Sequence, residues 1–129
     1  MAADLFRLAT TAMAKAHAPY SKLRVGASIR TEDGRTFSGC NIENAAFPEG
    51  WCAETTAIGH MVMDGGGAIA EVCVVGDSGQ TITPCGGCRQ RIAEFGHPET
   101  KIHLCDGNGI VTTHLLAELL PLAFDMEGS

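Results

Sequence analysis

The chain has 129 residues, 45% of them hydrophobic and 19% charged, with a formal net charge of −6. That balance is globular rather than disordered; the length predicts one domain spanning 1–129, able to bury roughly two thirds of its unfolded surface. An acidic chain lacks the basic face that phosphate binding needs, and no apolar run approaches the ~18 residues of a membrane span, so neither nucleic acid nor membrane is an expected partner.

Residues 4–17 place Leu5, Leu8, Ala9, Ala12 and Met13 on one stripe, the period of a helix that Pro19 is expected to end. Residues 25–29 read as a short strand and 36–40 as its return. Glu32-Asp33-Gly34-Arg35 joins them, Asp-Gly supplying positive φ angles. A turn at 48–50 precedes a helix over 51–63, which Asp64-Gly65-Gly66-Gly67 breaks. A buried strand over 71–76 follows, then a helix over 86–95 opened by Pro84. A strand over 101–106, a turn, a further strand over 110–113 and a helical piece within 114–120 complete the chain. The order α-β-β-α-β-α-β-β-α predicts an α/β fold, a mixed sheet of about five strands with helices on both faces.

Met1-Ala2-Ala3-Asp4 shows neither the basic start nor the apolar run of an export signal. A cytoplasmic chain with six reduced cysteines is therefore expected. Cys85-Gly86-Gly87-Cys88 is a C-x-x-C whose glycines let the backbone wrap closely around an ion, and Cys52 offers a third thiol, also at a helix start. The partial positive charge of a helix N-terminus favours the thiolate that binds metal. Three thiolates with no evident fourth ligand predict an open tetrahedral Zn²⁺ site, one per chain, that admits water and lowers its pKa toward ~7. Glu54 lies in the same first turn as Cys52 and is the expected general acid–base. The competing reading is a non-catalytic structural zinc module, with His60 or His103 as fourth ligand. Cys40, Cys73 and Cys105 sit on apolar strand-like stretches and read as packing thiols. The five histidines fit no ligand spacing and read as surface or helix-end residues.

The opening Cys-Ala-Glu of residues 52–54, together with P-C-x-x-C at 84–88, resembles the zinc nucleoside deaminases, and more closely the small, homotetrameric-type cytidine deaminases. C-N-I-E-N-A-A-F at 40–47 resembles that family's nucleoside-binding segment, A-P-Y-S-K-L-R-V-G-A at 18–27 its A-P-Y-S-x-F-x-V-G-A, and L-L-P-L-A-F at 119–124 its C-terminal signature. The resemblance implies a three-layer α/β/α fold, hydrolysis of cytidine and 2′-deoxycytidine to uridine and ammonia, and a place in pyrimidine salvage. It implies Cys52, Cys85 and Cys88 as zinc ligands and Glu54 as the proton shuttle to the ring nitrogen and the departing amine. It implies Asn41 and Glu43 on the sugar hydroxyls, the Ala53 N–H on the base carbonyl, and Phe47 beside the sugar or base. Phe124 is expected to reach into a neighbouring subunit's site, so that the active site is completed only in a homotetramer.

Two positions depart from the family pattern. Leu23 stands where the family usually has Phe, and Thr55 where it often has Arg. That Arg offsets the negative charge that three thiolates carry in excess of one Zn²⁺; here helix-start N–H groups and the Thr55 hydroxyl are expected to do so. The alternative within the class is deamination of a cytosine-bearing antibiotic of the blasticidin type, against which N-I-E-N-A-A-F at 41–47 favours a plain nucleoside.

Overall fold

A computed structural model describes residues 2–126. Helix α1 (Ala3–Met13) turns Leu5, Ala9 and Ala12 inward, as their spacing predicts. It stops four residues before the expected end, with no help from Pro19. The Lys15 and Ala16 N–H groups reach back only three residues, to the carbonyls of Ala12 and Met13, and the His17 N–H leaves the helix for Asn41 O at 3.1 Å. A tertiary hydrogen bond overrides the helical preference of an Ala-rich run.

Strands β1 (Val25–Thr31) and β2 (Thr36–Cys40) form an antiparallel hairpin. A single positive φ, +91° at Gly34, closes it, where the sequence predicts more than one. Asp33 contributes its carboxylate instead, accepting from the Thr31 hydroxyl. Strand β3 (Ile69–Gly76) pairs antiparallel with β1 and parallel with β4 (Lys101–Asp106), and β5 (Gly109–Leu115) lies antiparallel on β4. The sheet order is β2-β1-β3-β4-β5, the mixed five-stranded sheet expected. His114 and Leu115, assigned to the last helix from sequence, pair as strand with Ile102 and Lys101, which leaves α4 (Leu116–Leu119) a single turn.

Side chains alternate across the sheet and both faces are covered. On one face Leu5 and Ala9 of α1 pack on Cys73, Val75 and Cys105. On the other, Ala57, Ile58 and Met61 of α2 (Ala53–Met63), Ile92 of α3 (Gly86–Phe95) and Leu116 of α4 pack on Ile29, Val72, Val74, Ile102 and Leu104. The architecture is therefore three-layer α/β/α. Gly39 sets how closely α2 lies on β2: a Cβ there would meet Ala57 N at 2.5 Å and Ala53 O at 2.8 Å.

His103 is a correction to the surface reading of the histidines. It is buried on β4, its Nδ1 paired with Thr113 Oγ1 and its Nε2 with Glu71 Oε1, both at 2.8 Å. Glu71 also accepts from Arg30 Nε at 3.0 Å, and Arg30 reaches Asp4 at 2.6 Å. Partial burial works to raise the Glu71 carboxyl, but the hydrogen bonds from His103 and Arg30 outweigh it and hold it below its ordinary 4.5. A carboxyl depressed in the folded state contributes stability above its unfolded pKa and loses it as pH falls through the folded one. Glu71→Gln is accordingly expected to cost about 1 kcal/mol at pH 7, a modest figure because the pair is partly screened by solvent. The gap to the wild type should narrow at an acid pH below the carboxyl's ordinary 4.5, as the lowered folded value is approached. Urea midpoints measured at both pH values check this, and an equal gap at each would remove the network from acid lability.

Candidate active site

Two helices begin side by side. Cys52 is the N-cap of α2 and Cys85 the N-cap of α3, both in extended backbone conformation. Their thiols thus sit where unpaired helix N–H groups and the helix dipole favour negative charge. Cys88 lies three residues into α3 and is fully buried. The sulfurs of Cys52, Cys85 and Cys88 lie within 4.8 Å of one another, with Cys52 and Cys85 3.7 Å apart. Tetrahedral zinc with Zn–S bonds of about 2.3 Å sets sulfurs about 3.8 Å apart, so the three thiols fit that ion. Hydrogen bonding from Cys88 brings the Cys52 thiol down to about 6 against the opposing effect of burial. The bond to Cys52, burial and the Glu54 charge push Cys88 up. Binding a metal displaces the protons that these thiols carry.

Glu54 follows Cys52 by two residues and is 3% exposed. Burial raises its carboxyl to about 7; the Cys52 charge pushes the same way, against local hydrogen bonds. A carboxyl titrating near neutrality can both accept and return a proton. Ala53 is the first residue of α2, so its N–H is among those the helix leaves without an internal partner.

A cavity of about 210 Å³ brings Cys52, Ala53, Glu54 and Cys85 together with Asn41, under Val25, Ile82, Thr83 and Trp51. A second cleft of about 510 Å³ adjoins it through Trp51 and Cys52, and is lined by Tyr20, Ser21, Glu43 and Phe47. Two reciprocal backbone hydrogen bonds between Ile42 and Trp51, 3.0 and 2.9 Å, fold the 43–50 loop beside Cys52. Asn41 is anchored by Val25 N–H donating to its Oδ1 at 2.8 Å and by its own Nδ2 donating to Leu23 O at 3.0 Å. Glu43 accepts from the backbone N–H groups of Tyr20 and Ser21 at 2.9 and 3.2 Å and from the Ser21 hydroxyl. Phe47 is 74% exposed and meets the Tyr20 ring edge-on, centroids 5.9 Å apart.

Phe124 is not part of these cavities. It lies in a separate hollow with Pro98 and Leu116, its carbonyl accepting from Gln90 Nε2 at 3.1 Å. Neither histidine considered as a fourth ligand joins the thiols. His60 Nδ1 is bound to Ser38 O at 2.8 Å and His103 to Glu71 and Thr113. Among the described residues, the His, Cys, Asp or Glu group close enough to share one ion is the three thiols.

Sequence reasoning missed four contributors. Tyr20 and Ser21 hold Glu43; they were legible only as part of a motif with no role attached. Trp51 spans both cavities, its Nε1 donating to Thr56 Oγ1 at 3.0 Å. Arg91 lies with its Nη1 3.9 Å from Cys88 Sγ, opposite Thr55 Oγ1 at the same distance. Its one sequence signal is the three-residue spacing from Cys88, which puts both on one face of α3.

Three thiols on two helix starts with a buried carboxyl beside them, in an α/β/α fold, define a zinc hydrolytic deaminase. Residues 2–104 match the model of the cytidine and deoxycytidylate deaminase zinc-binding region, and the chain belongs to that family. It is 42% identical over 113 residues to a cytidine deaminase of Sporosarcina psychrophila, covering 88% of this chain and 83% of the relative. Among solved structures it resembles cytidine deaminase from Burkholderia pseudomallei, with TM-score 0.88 and 41% identity over 94% of this chain and 97% of that one. The Mycobacterium tuberculosis cytidine deaminase follows at 0.83 and 36%, over 95% and 96%.

Proposed function

We propose that the chain, acting as one domain over 1–129, hydrolyses cytidine and 2′-deoxycytidine to uridine and ammonia, as a step of pyrimidine salvage. The observation that carries this reading is Glu54, a carboxyl 3% exposed in the same cavity as Cys52 and Cys85. Beside three thiolates a buried carboxyl adds negative charge that a purely structural zinc site does not need, whereas hydrolysis needs a group that moves protons. Cys52, Cys85 and Cys88 hold the metal, and zinc when bound supplies a Lewis acid that lets water attack near neutral pH. Glu54 takes one proton from the attacking water and gives it to the ring nitrogen as the C4–O bond forms, then takes the second proton from the new C4 hydroxyl and gives it to the amine as the C4–N bond breaks. Water and cytidine are thereby converted to uridine and ammonia with no net proton change at Glu54.

The Ala53 N–H binds the base carbonyl at the α2 start. Asn41 and Glu43 take the sugar hydroxyls, a neutral amide and a carboxylate that together suit hydroxyls and do not suit a phosphate; Phe47 flanks the sugar or base. Glu43→Gln is expected to raise KM for cytidine about tenfold with a smaller change in kcat, the signature of lost ground-state binding. An unchanged KM would take Glu43 out of the sugar site.

A homotetramer with Phe124 inserted in a neighbour's site completes the proposal. Its support is the large apolar side chains left exposed on the single chain, Met63, Val111, Leu122 and Phe124 among them, which subunit contacts would cover. Six cysteines without a disulfide suit the reducing cytoplasm, and among the described residues no helix is long and apolar enough to cross a membrane. Ammonia release from cytidine, measured with zinc content on the same sample, tests the function. Turnover by a zinc-loaded protein supports it. A zinc-loaded protein inert toward cytidine but active on a cytosine-bearing antibiotic would replace the substrate.

A further inference from the structure

Three thiolates bring more negative charge to one Zn²⁺ than the ion cancels, and a nearby cation lowers the electrostatic cost of assembling them. Thr55 cannot supply that cation; its hydroxyl is 3.9 Å from Cys88 Sγ and is neutral. Arg89, the first Arg after the C-x-x-C, is committed elsewhere: its Nε donates to Pro84 O and its Nη1 to Leu119 O, both at 2.8 Å. Arg91 is different. Its Nη1 points at Cys88 Sγ from 3.9 Å, because residues three apart on a helix stack one turn above the other. Its path runs over Gly87, where an added Cβ would lie 3.2 Å from Arg91 Nη1. Glycine within a helix is destabilising by about 1 kcal/mol relative to alanine, and here its lack of a side chain leaves the guanidinium its room.

We propose that Arg91 is the positioning residue that balances the charge of the three-thiolate site, replacing an arginine at position 55, with Gly87 keeping its approach to Cys88 clear. It acts through Cys88 and touches neither substrate nor the reacting atoms. The proposal rests on the reading of Cys52, Cys85 and Cys88 as zinc ligands.

The test is zinc release from the full-length protein to a chromophoric chelator, at fixed pH, for wild type, Arg91→Gln, Arg91→Lys and the double variant Thr55→Arg/Arg91→Gln. Circular dichroism on each sample monitors the fold. Arg91→Gln is expected to release zinc about tenfold faster, in the range found when groups supporting metal ligands are lost. Arg91→Lys should retain much of the wild-type behaviour, and Thr55→Arg should restore it in the double variant by returning a cation from the α2 side. Equal release by zinc-loaded wild type and Arg91→Gln would overturn the assignment of Arg91 and leave the metal site standing. Fast release by Lys, Gln and double variant alike would also overturn it, since packing rather than charge would then be at work. Wild-type protein that binds no zinc overturns the metal site, and this inference with it.

Discussion

Glu54→Gln will hold zinc and lose catalysis. The substitution keeps the size and shape of a side chain that is 3% exposed, so it opens no cavity and introduces no new clash. It removes the one group in the small cavity able to cycle a proton between water, ring nitrogen and leaving amine. General acid–base groups contribute about 10²–10⁴-fold, and one acting on both proton transfers belongs at the upper end of that range. The fall should appear in kcat and kcat/KM together, because the proton is moved in the transition state and not in the ground state. Zinc content should stay that of the wild type, since Glu54 lies outside the metal-sized group of Cys52, Cys85 and Cys88. Thermal stability should hold or rise, because burial raises the carboxyl to about 7 and an acid of that kind is costly to keep charged. Loss of zinc in this variant would show that the carboxylate is a ligand. Retained turnover would move the chemistry elsewhere in the cavity.

Much of this centre is legible in the sequence because its parts are local. Pro84 and Cys85 mark the start of α3, observed over Gly86–Phe95 as the pattern predicts. Cys52 and Glu54 fall in one helical turn. The two spacings, C-x-E and C-x-x-C, therefore define most of the geometry before any tertiary contact is known. Strands β2 and β4 likewise begin and end where their apolar patterns do.

What escaped depends on contacts between distant segments. The end of α1 is set by His17 bonding to Asn41, and no residue in the Ala-rich run signals it. His114 and Leu115 fit a helix or a strand equally well, and pairing with β4 decided the matter. His103 alternates inward beneath α1 on a strand covered on both faces, where polar and apolar positions no longer separate cleanly. The anchoring of Glu43 by Tyr20 and Ser21 joins residues more than twenty apart. The Arg91–Cys88 contact is local by spacing, but a surface-charge reading serves an arginine at that position equally well until the thiols are known to converge.

Cys85→Ala tests the metal site with the least ambiguity of the three ligands. Cys88 is wholly buried, so truncating it would leave a void whose cost confounds any loss of metal. Cys85 is exposed at the mouth of the cavity, and removing its sulfur leaves no comparable void. Two thiolates remain, too few to hold zinc in a closed or an open tetrahedral site. After dialysis against a chelator the variant should retain less than about a tenth of a zinc per chain, where wild type retains about one, and cytidine turnover should fall to background. Stability should follow the metal: an ion bound to the native state adds to unfolding free energy in proportion to the logarithm of its occupancy ratio. The melting temperature of Cys85→Ala should thus match that of chelator-stripped wild type and be indifferent to added chelator. Lowering the pH should bring wild type toward the same value, because protons compete for the thiolates. A Cys85→Ala protein with a full complement of zinc would mean that the ion sits elsewhere, and Glu54 would lose the neighbour that makes it a catalyst.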